Sequence, residues 1–169
     1  SGGGFLTIMN GGMVNIGAPS MIEAFQTNAS LIVWVNLAFT MAMIVPLLPL
    51  SRISDVFGRK RLYLLGALIV PAGLGLSAVS QDLAQLIMAR VVTGVGSSMI
   101  IANDNALLTQ AFPTSERGKA QGLINVGFGL GLGCSFFLGG ILIDIFDWKA
   151  LFWARIPAHL LLAFSAWRF

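Results

Sequence analysis

The sequence predicts an all-α polytopic membrane protein, a bundle of six transmembrane helices. Hydrophobic residues make up 56% of the 169 residues and charged residues only 10%, whereas about 25% of the residues in an average soluble domain are charged. The mean hydropathy is +0.85. The segment Ser51–Arg61 carries four basic residues between two long apolar stretches, as expected of a connection at a membrane surface.

Six stretches are long and apolar enough to cross a hydrocarbon layer about 30 Å thick, which takes about 20 helical residues. We predict that they form one bundle over residues 1–169, with spans at about 5–25, 31–50, 62–80, 83–112, 120–146 and 150–167. The fourth and fifth spans are long enough to tilt or to extend past the bilayer.

The connections between the spans alternate in charge. The link at 51–61 has four Lys or Arg residues and the link at 113–119 has two, whereas those at 26–30 and 81–82 have none. Because short basic loops stay in the cytoplasm, the second and fourth links and the amino terminus are predicted to be cytoplasmic. The link at 147–149 has one Lys beside nearby carboxylates and fits the other side.

The formal net charge of +3 comes from few ionisable groups, and these cluster in the links. No basic face interleaved with aromatic residues is visible, so a lipid bilayer is expected as the partner rather than nucleic acid. The single cysteine, Cys134, excludes an internal disulfide and a multi-cysteine metal site. It is predicted to be a small buried packing residue, and no metal or cofactor is predicted.

Helix starts carry residues with ordinary capping chemistry. Ser30 precedes the second span, Gln81 and Asp82 precede the fourth, and Ser115–Glu116 precedes the fifth. The stretch 28–30 also matches a glycosylation sequon, but in so short a turn a cap is the better interpretation.

Small residues recur every four positions in two spans and predict close helix contacts, because lipid supplies no hydrophobic drive between helices. In the fifth span they are Gly127, Gly131, Ser135 and Gly139, and in the fourth they are Gly94, Ser98, Ala102 and Ala106.

Ionisable groups inside spans are costly and are therefore candidates for function. They are Glu23, Arg90, Asp104, Arg155 and His159. Glu23 lies near a helix end, where solvation at the interface explains it. Arg90, Thr93, Ser97 and Asp104 share one face of the fourth helix, which we expect to face a cavity rather than lipid. Asp104 is expected either to latch onto Arg59 or Arg52 of the basic link or to form a simple buried ion pair.

Arg155 and His159 share a face of the sixth helix at a spacing of four. A histidine can exchange protons near neutral pH, so His159 either couples to protons or is a neutral structural residue. Asn10, Asn15 and Asn36 either line a pocket or bridge the first two helices.

The link after the second helix carries the strongest resemblance to a known family. Asp55, Gly58, Arg59 and Lys60 match the signature Gly-x-Leu-(Ala/Ser)-Asp-(Arg/Lys)-x-Gly-Arg-(Arg/Lys), although Ser51 replaces its first Gly and Val56 its basic residue. The chain resembles the amino-terminal half of a major facilitator superfamily transporter, most closely the fourteen-helix drug:proton antiporter branch.

Other segments extend the resemblance over the whole chain. Residues 90–96 are similar to the family's Arg-x-x-Gln-Gly-x-Gly motif, with Thr93 in place of Gln, and residues 112–118 to its Phe-Pro-x-x-Glu-Arg-Gly link. Gly131, Gly139 and Gly140 resemble the antiporter motif of the fifth helix, which here lacks its Gly-Pro step. Residues 10–19 are similar to a stretch that usually opens with Asp, and Asn10 cannot carry a proton.

The resemblance implies a secondary transporter that works by alternating access on a small organic solute or drug. It implies proton-coupled efflux, with Asp55, Gly58, Arg59 and Lys60 as the conformational switch and Arg90 in proton coupling or substrate contact. The implied location is the plasma membrane or the bacterial inner membrane. The implied partner is a carboxy-terminal half of six or eight helices, either in a longer transporter of which this chain is a fragment or as an associated bundle.

Two other functions remain open. The chain could be a membrane scaffold that does not transport and binds a second bundle through its fifth helix. A serine on the fourth helix with His159 on the sixth could also describe a rhomboid-like intramembrane protease. That chemistry needs an exposed Gly-x-Ser-Gly serine, whereas neither Ser97 nor Ser98 is followed by Gly, and we expect no enzyme.

Overall fold

The fold of the chain is entirely helical in the part that the computed structural model describes. This part comprises residues 14–111, 113 and 115–168, with the backbone alone for residues 105–111, 123, 124 and 128. The helices are α1 (14–24), α2 (Ala29–Ile44), α3 (Leu47–Phe57), α4 (Arg59–Ala78), α5 (Leu83–Ala111), α6 (Arg117–Ile145), α7 (Ala150–Trp153) and α8 (Ile156–Arg168).

Four segments are long and apolar enough to span a membrane, namely Arg59–Ala78, Leu83–Asp104, Arg117–Ile145 and Ala150–Arg168. A fifth results if α2 and α3, which meet at an angle of 42°, are counted as one bent span. The all-α membrane fold is thereby confirmed. The first predicted span, at 5–25, lies partly outside the described residues.

The second predicted span, at 31–50, is wrong in its boundaries. Helix α2 ends at Ile44, and α3 runs on through most of the basic link. The break falls at Pro46, because proline has no N–H to donate to the carbonyl four residues earlier. The link is therefore helical rather than a loop, and only Gly58, with a φ of +98°, separates α3 from α4.

The sixth predicted span, at 150–167, is also interrupted. Helix α7 ends at Trp153, and Ala154 and Arg155 form a turn before α8. Pro157, in the first turn of α8, lacks the N–H that would bond to the Trp153 carbonyl, which explains the break.

Helix α5 lies at the centre of the bundle between α2 and α4, and α4 also packs against α7 and α8. Glycines bring these backbones together. A Cβ atom built on Gly94 would lie 2.5 Å from the Phe39 carbonyl oxygen, and one on Gly66 would lie 2.6 Å from the Gly96 carbonyl oxygen. The close contact predicted for the small-residue face of the fourth span is therefore confirmed at Gly94. Ser98 is buried and Ala102 half-buried, whereas the Ala106 side chain lies outside the described residues.

The cap predicted at the start of α5 is confirmed. The Gln85 backbone N–H donates to Asp82 Oδ1 at 2.7 Å, and Gln85 Oε1 accepts from the Gln81 N–H at 3.1 Å. This reciprocal pair satisfies backbone donors that have no partner within the helix. At α2 the cap is Asn28, which accepts from the Leu31 N–H at 3.0 Å, and the expectation for Ser30 was wrong. Glu116 occupies the cap position of α6 but makes no side-chain capping bond.

Replacing Asp82 with alanine is expected to lower the free energy of unfolding by about 1 kcal/mol, the usual contribution of an N-cap. Denaturant titration in detergent, followed by tryptophan fluorescence, would measure the change. Glu116→Ala is the matched control, because Glu116 caps nothing with its side chain. Equal losses in the two variants would contradict the capping role of Asp82.

Candidate functional site

Three polar residues on one face of α5 point into the bundle. Arg90, Thr93 and Ser97 have no exposed side-chain area, and Asp104 is half-buried. The stripe begins at Arg90, seven residues after α5 begins at Leu83, which places its guanidinium about two turns inside the helix. This placement agrees with the prediction from the sequence that this face of the helix is turned away from lipid.

The guanidinium of Arg90 is held between α5 and α2. Its Nε donates to the Val35 carbonyl oxygen at 3.4 Å, and its Cζ lies 4.3 Å from the centre of the Phe39 ring. A planar cation stacked on an aromatic face is attracted by the ring's quadrupole. Two contacts from one helix thus fix the plane of this guanidinium.

Arg155 lies in the turn between α7 and α8 and is also buried. Its Nε donates to the Leu151 carbonyl oxygen at 2.7 Å, and its Cζ lies 5.4 Å from the centre of the Phe152 ring. His159 follows one turn later, buried, with Nδ1 3.1 Å from the Arg155 carbonyl oxygen. Arg155 and His159 therefore enter the interior from the same segment.

The two buried arginines lie on elements that both pack against α4. Glycines of α4 bring it close to these elements. A Cβ on Gly73 would lie 2.5 Å from Thr93 Oγ1, and a Cβ on Gly75 would lie 3.9 Å from Ile156 Cδ1. We call Arg90 and Arg155 the arginine pair.

The asparagines of the first two helices form a bridge. Asn36 Nδ2 donates to Asn15 Oδ1 and so joins α2 to α1. Of the two interpretations, the structure favours helix bridging for this pair. Asn10 lies outside the described residues. Glu23, near the end of α1, is exposed.

The basic link contains an ion pair at its surface. Arg59 donates from Nε at 3.0 Å and from Nη2 at 2.9 Å to Asp55 Oδ1, and the exposed fractions of the two side chains are 33% and 58%. With Gly58, Lys60 and Trp167 they line an open groove of about 820 Å³. The latch of Asp104 to Arg59 or Arg52 stays a prediction.

The serine–histidine arrangement of an intramembrane protease is not formed. Ser97 and Ser98 Oγ are buried, and neither has a hydrogen-bond partner among the described residues, His159 included. Within the same residues, no group of three His, Cys, Asp or Glu side chains lies close enough to hold a metal ion.

The small-residue face of α6 is covered along only part of its length. Gly131, Ser135 and Gly139 are buried. A Cβ on Gly127 or Gly140, however, would meet no described heavy atom within 4 Å, so the close packing expected at these two positions is absent against the described residues.

The prediction for Cys134 was also wrong. Its side chain is exposed rather than buried, because it lies next to Ser135, outside the narrow buried stripe of α6.

The residues that hold the arginine pair were not predicted from the sequence. In the sequence, Phe39 and Phe152 cannot be distinguished from other apolar residues of the spans. Nothing in the sequence indicates that either ring contacts an arginine. Gly66 and Gly73 lie seven residues apart in α4, a spacing that places both on one face of a helix. That spacing was the signal that could have identified the face of α4 in contact with α5.

The chain is similar throughout its length to known membrane transporters. A profile of the Major Facilitator Superfamily matches residues 1–169. A riboflavin transporter of Clostridioides difficile is 32% identical over 99% of this chain and 37% of its own length. Multidrug resistance protein 3 of Bacillus subtilis is 29% identical over 80% of this chain and 27% of its own length. For a probable actinorhodin transporter of Streptomyces coelicolor the identity is 28%, over 92% of this chain and 28% of that protein.

The chain thus spans between 27% and 37% of the length of these relatives. Proteins of this family are transporters rather than enzymes, and they are multi-pass proteins of bacterial inner or plasma membranes. With a profile match over every residue and a bundle of apolar helices, the chain belongs to the Major Facilitator Superfamily.

Proposed function

We propose that this chain forms a six-helix bundle of a secondary transporter that moves small organic solutes or drugs by alternating access. The buried arginine pair is the observation that carries the proposal. Charged groups inside a membrane bundle are costly and are kept where a solute or ion must be handled. The printed names of the relatives, which include riboflavin, actinorhodin and multidrug transporters, support the same class of solute.

A second bundle completes this transporter in our proposal. The relatives are about three times as long as this chain, which covers 37% of the riboflavin transporter and 28% of the actinorhodin transporter. The chain then supplies the amino-terminal half, and a carboxy-terminal half of six or eight helices encloses the solute from the other side. The uncovered positions Gly127 and Gly140 of α6 are consistent with such a neighbour.

Proton-coupled efflux is the proposed direction and driving force. Asp104 is half-buried and His159 is buried, and these two titratable groups are our candidates for proton carriers. The amino terminus is proposed to be cytoplasmic, because the links with the most basic residues then face the cytoplasm.

Asp55→Asn is expected to reduce transport at least about tenfold while leaving folding intact. The exposed pair with Arg59 contributes little to stability, so the free energy of unfolding should stay within about 0.5 kcal/mol of its original value. Loss of the carboxylate would, however, leave Arg59 without its partner in the link that switches between states. The measurement is proton-driven uptake of dyes into everted vesicles containing the product of the complete reading frame.

Asp144→Asn is the matched control, since Asp144 is an exposed carboxylate near the other end of the bundle. Its flux should equal that of the unmodified protein. Unchanged flux in Asp55→Asn would remove the link from the mechanism. Absence of flux in the unmodified protein, with dyes of either charge, would favour the scaffold over the transporter.

A further inference from the structure

The open groove beside the basic link lies where α4 begins and α8 ends. We call it the basic groove, and its volume is about 820 Å³. Both helices belong to segments that are long and apolar enough to span a membrane, Arg59–Ala78 and Ala150–Arg168. The groove therefore lies at the membrane surface, at the level of the lipid headgroups. The side chains that give it its character are Asp55, Arg59, Lys60, Arg61, Leu64 and Trp167.

Positive charge is in excess in the basic groove. Three cations line it against one carboxylate, Asp55, and that carboxylate is held by Arg59 at 2.9 Å. Lys60 and Arg61 are exposed, and within the described part of the chain neither forms an ion pair with a carboxylate. The three cations are also the first three residues of α4, where the helix dipole makes positive side chains unfavourable. A bound anion would relieve this accumulation of charge.

Exposed apolar side chains continue from the basic groove along the two helices. On α4, Leu64 is followed one turn later by Leu68, and on α8, Trp167 is preceded by Phe164 and Leu160. Steps of three and four residues keep each set on one helix face. Helices α4 and α8 pack against each other and run in opposite directions, because Gly75 near the end of α4 lies close to Ile156 at the start of α8. Both sets therefore lead from the groove toward the middle of the membrane.

A phospholipid with a net negative headgroup matches this combination of features. Its phosphate accepts charge-assisted hydrogen bonds from arginine and lysine, and basic pockets between transmembrane helices bind such headgroups. Tryptophan is favoured at the same depth in the membrane. A soluble phosphate ester would use the cations but would leave the apolar side chains of Leu68 and Phe164 uncovered.

We propose that the basic groove binds the phosphate of an anionic membrane lipid, such as phosphatidylglycerol, whose acyl chains lie along Leu68 and Phe164. Lys60 and Arg61 contact the phosphate, and Arg59 stays paired with Asp55. The inference goes beyond the proposed transport function and does not depend on it, since it concerns the surface that the bundle presents to lipid.

The lipid preference of the protein tests the proposal directly. Native mass spectrometry of the product of the complete reading frame, purified in detergent, would measure the binding of phosphatidylglycerol and of phosphatidylcholine with the same acyl chains. The first phosphatidylglycerol molecule should bind at least about tenfold more tightly, the effect of one charge-assisted contact. Equal affinities would overturn the proposal, as they would if another part of the protein filled the groove.

Variants of Arg61 locate the preference. Arg61→Gln should weaken phosphatidylglycerol binding about fivefold and the double variant Lys60→Gln/Arg61→Gln about 25-fold, with phosphatidylcholine unchanged in both. Lys119→Gln is the matched control, because Lys119 is an exposed cation that is also the third residue of its helix, α6, but lies outside the groove. Equal losses in Arg61→Gln and Lys119→Gln would assign the preference to diffuse surface charge and overturn the proposal. If Arg61→Gln does not fold, Arg61→Lys, which should keep the preference, and the lipid ratio of the unmodified protein decide the question.

A soluble phosphate offers the same anionic chemistry as the lipid headgroup. Glycerol 3-phosphate carries the phosphate without acyl chains and can be added in excess as a competitor. Phosphatidylglycerol that stays bound supports a lipid site. Displacement by glycerol 3-phosphate would assign the groove to a soluble phosphate and overturn the proposal.

Transport assays separate this inference from the proposed function. Selective phosphatidylglycerol binding through Arg61, in a protein that moves no dye, would support the lipid site and reject the transport function. Dye uptake by a protein that shows no lipid preference would leave the transporter standing and reject the lipid site.

Discussion

Gly66→Leu is expected to prevent formation of a stable bundle. The added Cβ alone would lie 2.6 Å from the Gly96 carbonyl oxygen and 2.8 Å from Met99 Cβ. The first of these atoms belongs to the backbone of α5 and cannot move aside without shifting the helix. Overpacking a close contact by a few atoms costs about 1–3 kcal/mol, and a whole leucine between two backbones exceeds this. The measurement is the yield and thermal unfolding temperature of purified protein in detergent.

Gly122→Leu is the matched control for this substitution. A Cβ on Gly122 meets no described heavy atom within 4 Å, and leucine is a better helix former than glycine by about 1 kcal/mol. This variant should therefore unfold at the same or a higher temperature. If both variants lost stability equally, the close contact between α4 and α5 would not be the cause.

Arg90→Lys is expected to reduce transport at least about tenfold even though the charge is retained. A lysine ammonium is a compact, strongly hydrated group that lacks the planar fork of arginine. It would therefore lose the stacking on Phe39, a contact that contributes about 0.5–2 kcal/mol. Dye flux into everted vesicles measures the loss, and Arg168→Lys, at an exposed position, is the control that should transport normally.

A double-mutant cycle with Phe39→Leu would attribute the effect to the stacking. If the ring and the guanidinium act together, the two substitutions combined should cost clearly less than the sum of their separate effects. Additive effects, or full flux in Arg90→Lys, would mean that the geometry of the guanidinium is not what transport requires.

The membrane character and most helix boundaries could be predicted from the sequence because hydropathy and the placement of charge depend on local composition. The predicted span at 83–112 corresponds to Leu83–Ala111, and that at 120–146 to Arg117–Ile145. Where the predicted helix boundaries were wrong, a proline or the position of a segment at the membrane surface set the actual boundary. Pro46 divides the second span, and a charged segment at a membrane surface can remain helical because water or headgroups solvate its side chains.

The candidate site was predicted only in part. Arg90 and Arg155 stood out because each is a charge within an apolar stretch. Their burial among neighbouring helices depends on how α4 packs against α5 and against α7 and α8, and helix pairing is not encoded in the periodicity of one sequence. The aromatic partners Phe39 and Phe152 are likewise fixed by tertiary packing.

Only one residue, Gly58, connects α3 to α4, so this junction has little conformational freedom. Helix α3 has 11 residues and is bounded by the bend at Pro46 on one side and by Gly58 on the other. A tilt of α3 relative to α4 requires rotation about the two backbone torsions of Gly58, and a tilt relative to α2 requires a change in the angle at Pro46. This junction therefore has few degrees of freedom, and if the angle at Pro46 were held, a change in the angle of α2 would turn α3, with Asp55, as one rigid body.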